Sequence, residues 1–157
     1  MAAWKDRARL PDGLDASDLV VGVVSARWNS DLVDRLVEGA RRAAAAARVE
    51  LVESTAPGSF ELPFAAQTLA RSRRVHAIVV LGAVVRGETT HYELVSEGCA
   101  TGVMRVQLES GIPIGFGVLT VENEIQALQR SEGPGGHNVG EEATLAAIEM
   151  AILRRDS

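Results

Sequence analysis

The chain is expected to fold as an α/β protein, a three-layer α/β/α sandwich around a four-stranded parallel sheet. Three observations predict this. Four apolar runs rich in β-branched residues begin at Leu19, Val49, Ile78 and Ile114, and short runs of that kind suit strands buried on both faces. Each run is followed by a stretch of helical periodicity, and crossovers of this length connect parallel strands. No hairpin signal joins any two of the runs.

Residues 1–17 are polar and punctuated by Pro11 and Gly13, and read as an N-terminal arm or tail ahead of a single domain over 18–157. Leu19 to Val24 is the first strand, and Ser25-Ala26-Arg27-Trp28-Asn29 follows it. A helix then places Val33, Leu36, Val37, Ala40 and Ala44 on one face and runs into an alanine block of strong helix formers. Val49 to Glu53 is the second strand and Thr55 to Gly58 a turn. Ser59 is expected to cap the helix carrying Leu62, Ala65, Ala66 and Leu69, where Pro63 is tolerable because it lies near the start.

The third strand, Ile78 to Val85, stops at Arg86-Gly87. Thr90 and Glu93 then have capping-box spacing, which predicts a helix starting after Thr90 with His91 in its first turn. Val95, Cys99, Val103 and Val106 line one stripe of that helix, and Gly98 and Gly102 leave room for a neighbouring backbone. Gly111-Ile112-Pro113 ends it. Ile114 to Leu119 is the fourth strand, followed by a helical piece near Gln126 to Arg130 and a loop at Gly133 to Gly136. The last helix, about Glu141 to Arg154, is apolar around most of its circumference and therefore needs cover on several sides, which points to another subunit.

Composition excludes several classes. The 157 residues make one domain able to bury a substantial core. The net charge of −5, with positive charge scattered apart from Arg41-Arg42 and Arg71 to Arg74, argues against nucleic-acid binding. The single cysteine, Cys99, has no partner thiol or metal-ligand spacing around it and reads as a small buried apolar residue in a reducing compartment. No signal-peptide pattern opens the chain, and no segment reaches the roughly 18 apolar residues of a membrane span. A soluble, cytoplasmic protein is expected.

Candidate ligand groups fall at the carboxyl ends of the strands, where open α/β sheets bind ligands. Trp28 follows the first strand, Ser59-Phe60-Glu61 the second, Gly87 to His91 the third and Thr120 to Asn123 the fourth. Trp28 either stacks on a planar heterocycle or covers the sheet edge. Glu61 either accepts hydrogen bonds from a ring or sugar, or is a helix-start charge favoured by the dipole. His91, at a helix N-terminus that disfavours imidazolium, is either a neutral proton-transfer group or a surface residue.

The segments SARWN, PGSFELPFAA, VLGAVVRGETTHYELV and FGVLTVENEIQALQR, in this order and spacing, resemble the 6,7-dimethyl-8-ribityllumazine synthase family over almost all of the chain after residue 18. The resemblance implies a flavodoxin-like strand order 2-1-3-4. It also implies condensation of 5-amino-6-(D-ribitylamino)uracil with 3,4-dihydroxy-2-butanone 4-phosphate, without metal or organic cofactor, in riboflavin biosynthesis. By motif position, Trp28 would stack on the uracil, with Ser59, Phe60 and Glu61 holding ring and ribityl chain. Ala83, Val84 and Val85 would supply main-chain polar groups, Glu88 and Thr89 backbone N–H groups for the butanone phosphate, and His91 the proton transfer. Phe116 and Arg130 would complete the pocket of an adjacent subunit, in a homopentamer that in some members pairs into decamers or closes into capsids. The partners implied are small-molecule substrates and further copies of the chain, with no nucleic acid and no membrane. One departure stands out: many members carry Asn-Lys-Gly where this chain has Asn138-Val139-Gly140, so a cationic contact to the phosphate is missing, to be made good by His137 or Arg130 or at the cost of affinity. A non-catalytic lumazine- or flavin-binding paralogue and a scaffold protein are the alternatives, but neither requires His91, Arg130 and the Gly-Glu-Thr-Thr turn together.

Overall fold

The computed structural model describes residues 4–157; the first three residues of the expected arm lie outside the described residues. The strands are β1 (Val20–Ala26), β2 (Glu50–Ala56), β3 (Ala77–Val85) and β4 (Ile114–Val121). The helices are α1 (Trp4–Arg7), α2 (Ser30–Ala47), α3 (Leu62–Arg71), α4 (His91–Ser110), α5 (Glu124–Leu128) and α6 (Val139–Asp156). All strand pairs are parallel, in the order β2-β1-β3-β4 expected from the sequence.

Side chains alternate across a strand, and β3 uses that alternation to serve two cores. Val79 and Leu81 join Leu36, Ala147 and Ile148 between the sheet and the α2/α6 layer. Ile78 and Val80 join Leu62, Cys99 and Val103 between the sheet and the α3/α4 layer. Burial on both faces is what made this run legible as a continuous apolar stretch. β2 differs. It is an edge strand exposed along most of its length, with Val52 40% accessible. β1 and β2 also run further than their apolar residues do, because Ser25 pairs with Thr55 and Ala26 with Ala56; ladder pairing overrides polar side chains there. The expected turn at Thr55 to Gly58 therefore begins only after Ala56.

Cys99 is fully buried on α4, and burial pushes its thiol up to about 11. At pH 8 only about one molecule in 10³ carries the reactive thiolate. Native protein is expected to resist iodoacetamide at that pH and to take up one label in denaturant, as mass spectrometry would register; rapid native labelling would contradict the burial.

Three details of helix contact correct the sequence reading. Gly98 and Gly102 accommodate side chains rather than a backbone: a Cβ on Gly98 would meet the Phe60 ring, and one on Gly102 the Pro63 ring. α6 is largely covered by its own chain, with Ala143, Leu145, Ala147, Ile148, Ala151 and Ile152 all buried. Only a narrow stripe including Met150 and Leu153 stays exposed, so its apolar circumference reflects close contact with α2 and the sheet. Residues 4–7 form a helical turn where irregular chain was expected, and Leu10 behind it rests on the α2/α6 core.

The α2–α6 contact is set by two glycines and one buried asparagine. Gly140 lies against the Leu36 carbonyl and Gly39 against the Asn138 side chain, leaving no space for a Cβ at either. Asn138 is 2% exposed. Its Nδ2 donates to the carbonyls of Arg35 and Glu132, both at 3.0 Å, while its Oδ1 accepts from the Glu141 N–H at 3.1 Å and caps α6.

Candidate active site

The strand order creates the site. The chain passes from β1 outward to β2 and then crosses back to β3 on the other side, so β1 and β3 diverge at a switch point. Pairing of β3 with β1 ends at Leu81, whereas pairing with β4 continues to Val85. Gly82 to Val85 thus lack a strand partner on the β1 side. A cleft of about 500 Å³ opens there.

One wall comes from the turns after β1 and β2. The N–H groups of Arg27 and Trp28 both donate to the Pro57 carbonyl, at 3.1 and 3.0 Å, stitching the two turns together. The Trp28 indole lies over Gly58, whose missing side chain makes room for it, and is 66% exposed. Asn29 sits in the left-handed region at φ 60°, which Asn tolerates better than most residues, and its Nδ2 donates to the Ala83 carbonyl at 2.9 Å. That bond ties the Trp28 turn to the β3 edge and occupies one of the main-chain acceptors expected to face the ligand.

Ser59, Phe60 and Glu61 form a single 3₁₀ turn. Ser59 does not cap α3 as expected: Glu61 is the N-cap residue, with no side-chain bond, and Pro63 lies in the first turn. The Ser59 side chain is buried instead, its Oγ occupying the space that a Cβ on Gly82 would need. Phe60 lies over Gly98 and is 60% exposed.

The opposite wall is the start of α4. His91 is its first residue and lines the cleft, with Leu94 and Val95 one turn further along the same face. The loop carrying Glu88 and Thr89 is exposed, and the Thr89 hydroxyl accepts from the His91 N–H at 3.4 Å. The sequence reading missed Asn29, Leu94 and Val95. Helical spacing from His91 was a signal for the last two, whereas the left-handed Asn29 had none beyond its residue type.

Trp28, Ser59, Phe60, Glu61, Ala83, Val84, Val85 and His91 are therefore brought together. Phe116 and Arg130 are not, and Glu88 and Thr89, on the exposed loop before α4, do not line this cleft either. Phe116, on β4, opens into a second cleft of about 430 Å³ between the N-terminal segment and α6, which Val139 also lines. Arg130 is half-buried beyond α5, its Nη1 donating to the Gln126 carbonyl at 3.0 Å. Its own carbonyl accepts from the Val139 N–H at 2.9 Å, and Arg35 anchors the adjacent Ser131 through its carbonyl and hydroxyl. His137 Nε2 lies 3.0 Å from Glu142 Oε1, which ties this imidazole to the first turn of α6. Among the described residues no cluster of His, Cys, Asp or Glu has the arrangement of a metal site.

An open-sheet domain with a cleft at the strand switch point, an exposed indole on one wall and a histidine at a helix start on the other, is an α/β domain built to take a small molecule at its strand ends. Residues 18–155 match the family model of 6,7-dimethyl-8-ribityllumazine synthase. The chain is 47% identical to the 6,7-dimethyl-8-ribityllumazine synthase of Kineococcus radiotolerans over 144 residues, spanning 90% of this chain and 89% of that one. It is 45% identical to the synthase of Deinococcus deserti, with 94% and 96% covered, and 45% identical to that of Deinococcus radiodurans, with 92% and 95% covered. The chain belongs to the 6,7-dimethyl-8-ribityllumazine synthase family.

Proposed function

We propose that the chain condenses 5-amino-6-(D-ribitylamino)uracil with 3,4-dihydroxy-2-butanone 4-phosphate to give 6,7-dimethyl-8-ribityllumazine, releasing phosphate and water. The observation that carries this reading is the placement of His91 at the mouth of a cleft walled by Trp28 and by the unpaired edge of β3. The uracil ring lies on the Trp28 indole and takes its polar contacts from the main chain of Ala83 to Val85, while the ribityl chain runs past Ser59, Phe60 and Glu61. The phosphate sits on N–H groups of the Glu88–Thr89 turn at the positive end of α4. His91 moves protons as the 5-amino group adds to the ketone and loses water, phosphate is eliminated, and the ribitylamino nitrogen closes the ring on the remaining carbonyl with loss of a second water. Bringing amine and ketone together supplies the rest of the rate. Mixing the two substrates with purified protein should give lumazine absorbance well above the uncatalysed rate; no acceleration at any protein concentration would overturn the assignment.

Phe116 and Arg130 serve the cleft of an adjacent subunit in a homopentamer or a larger closed assembly. Their separation from the cleft within one chain supports this, as do the exposed Leu94, Met104 and Leu108 on α4 and Phe64 on α3. No helix of the described residues is long and apolar enough to cross a membrane, and the single buried thiol suits a reducing cytoplasm as the place of reaction.

Val139 leaves Arg130 as the cation nearest the phosphate in this arrangement, because His137 is engaged by Glu142. Val139→Lys is therefore expected to lower the KM for the butanone phosphate several-fold with little change for the uracil substrate. An unchanged KM would mean that the site does not want for positive charge.

A further inference from the structure

Thr90 and Glu93 have the spacing of a capping box, in which each side chain bonds the other residue's backbone N–H. Neither bond forms. Thr90 makes no side-chain cap bond and its backbone lies at φ −73°, ψ 0°. The Glu93 carboxylate is turned onto the Arg86 guanidinium instead.

Arg86 is itself held from three sides. Its N–H donates to the Val121 carbonyl at 2.8 Å, its Nε lies 2.9 Å from Glu122 Oε2, and its guanidinium stacks on the Tyr92 ring at 4.3 Å. Arg86 thereby braces the end of β3 against the first turn of α4 and the chain after β4. The Arg86 guanidinium, and then the backbone N–H of Glu93 itself, hold the Glu93 carboxyl below the ordinary carboxylate range, so the pair is ionised at neutral pH. The second Glu93 oxygen, Oε2, is buried without a hydrogen-bond partner.

The first N–H groups of any α-helix have no partner inside the helix. At α4 the His91 N–H has only the Thr89 hydroxyl, at 3.4 Å. A carboxylate three residues beyond the N-cap is the chain's own candidate for this positive end, and it competes with any anion arriving from outside.

We propose that Arg86 is a positioning residue that keeps the Glu93 carboxylate off the Thr90 N–H, its capping-box partner, and so keeps the amides on the loop side of α4 open for the substrate phosphate. This rests on the reading above that the phosphate binds at that turn. Removing Arg86 lets Glu93 fall back into the capping box, filling the anion site from within. The effect lies in binding the phosphate-bearing substrate, whereas a merely structural brace would disturb both substrates alike.

The test measures the affinity of inorganic phosphate by titration calorimetry, alongside the KM of each substrate, across a short variant series. Arg86→Ala is expected to weaken phosphate by about three- to thirty-fold, the range of a cap interaction, and to raise the KM of the butanone phosphate by a similar factor with the uracil KM nearly unchanged. Arg86→Ala/Glu93→Ala should recover to within about three-fold of Glu93→Ala. Arg86→Ala/Glu93→Gln should recover less, because glutamine still closes a capping box. Glu93→Ala alone, which leaves the Arg86 brace in place should Arg86→Ala fail to fold, should bind phosphate no worse than wild type. A tenfold loss in Glu93→Ala, equal recovery by alanine and glutamine, no recovery at all, or wild-type protein that does not bind phosphate would each overturn the proposal. If the phosphate hierarchy holds but no lumazine forms, the reaction is wrong and the role of Arg86 stands; if lumazine forms without the hierarchy, the reaction stands and the role of Arg86 falls.

Discussion

Replacing His91 with alanine is expected to lower kcat by about 10²- to 10⁴-fold, the usual worth of a positioned proton-transfer group. The residue begins α4 and is exposed, and among the described residues its imidazole has no hydrogen-bond partner, so little of the fold depends on it. Circular dichroism and the thermal midpoint should therefore stay close to wild type. KM values should change little, because in the proposed arrangement the ring rests on Trp28 and β3 and the phosphate on backbone N–H groups. A residual rate above the uncatalysed one is expected from holding amine and ketone together. A kcat loss below tenfold would remove His91 from the chemistry and leave it as a lining residue.

The largest stability effects are expected at two glycines that bring backbones together. A Cβ on Gly140 would overlap the Leu36 carbonyl on α2, and one on Gly115 the Ala143 carbonyl on α6. Neither obstacle is a flexible side chain that can swing aside, so relief requires α6 to shift from the sheet or from α2. Gly140→Ala and Gly115→Ala should each cost about 3 kcal/mol or more, beyond ordinary overpacking, lowering the melting temperature by roughly 6–12 °C. Gly133→Ala is the control: nothing lies within 4 Å of its Cβ position, and its effect should stay within about 0.5 kcal/mol. Equal midpoints for all three would mean that α6 is less closely seated than the structure has it.

The parallel sheet was legible because β3 and β1 are apolar on both faces, and the strand order followed from the family resemblance. What escaped were features decided by partners distant in sequence. Ser25 and Thr55 belong to strands only because each pairs with the other across the β1–β2 ladder. Asn138 enters the sequence reading only through the Asn138-Val139-Gly140 motif, yet its side chain donates to the Arg35 carbonyl on α2. The Thr90–Glu93 spacing predicts a capping box, and the box does not form: the Glu93 carboxylate is paired with Arg86, which also stacks on Tyr92 and pairs with Glu122. Of the expected site residues, those on β3, on the turns after β1 and β2 and at the start of α4 converge because topology brings the strand ends together. Phe116 and Arg130 point to a different surface, which one subunit's sequence cannot relate to the cleft except through the family pattern.

The most direct test is a crystal structure of the protein bound to an unreactive analogue of the ribitylaminouracil together with inorganic phosphate. The ring should lie between the Trp28 indole and the main chain of Ala83 to Val85, with phosphate oxygens within hydrogen-bond distance of N–H groups in the Glu88–Thr89 turn and His91 between the two. An analogue bound elsewhere, or a phosphate remote from that turn with His91 facing open solvent, would contradict this assignment of the cleft.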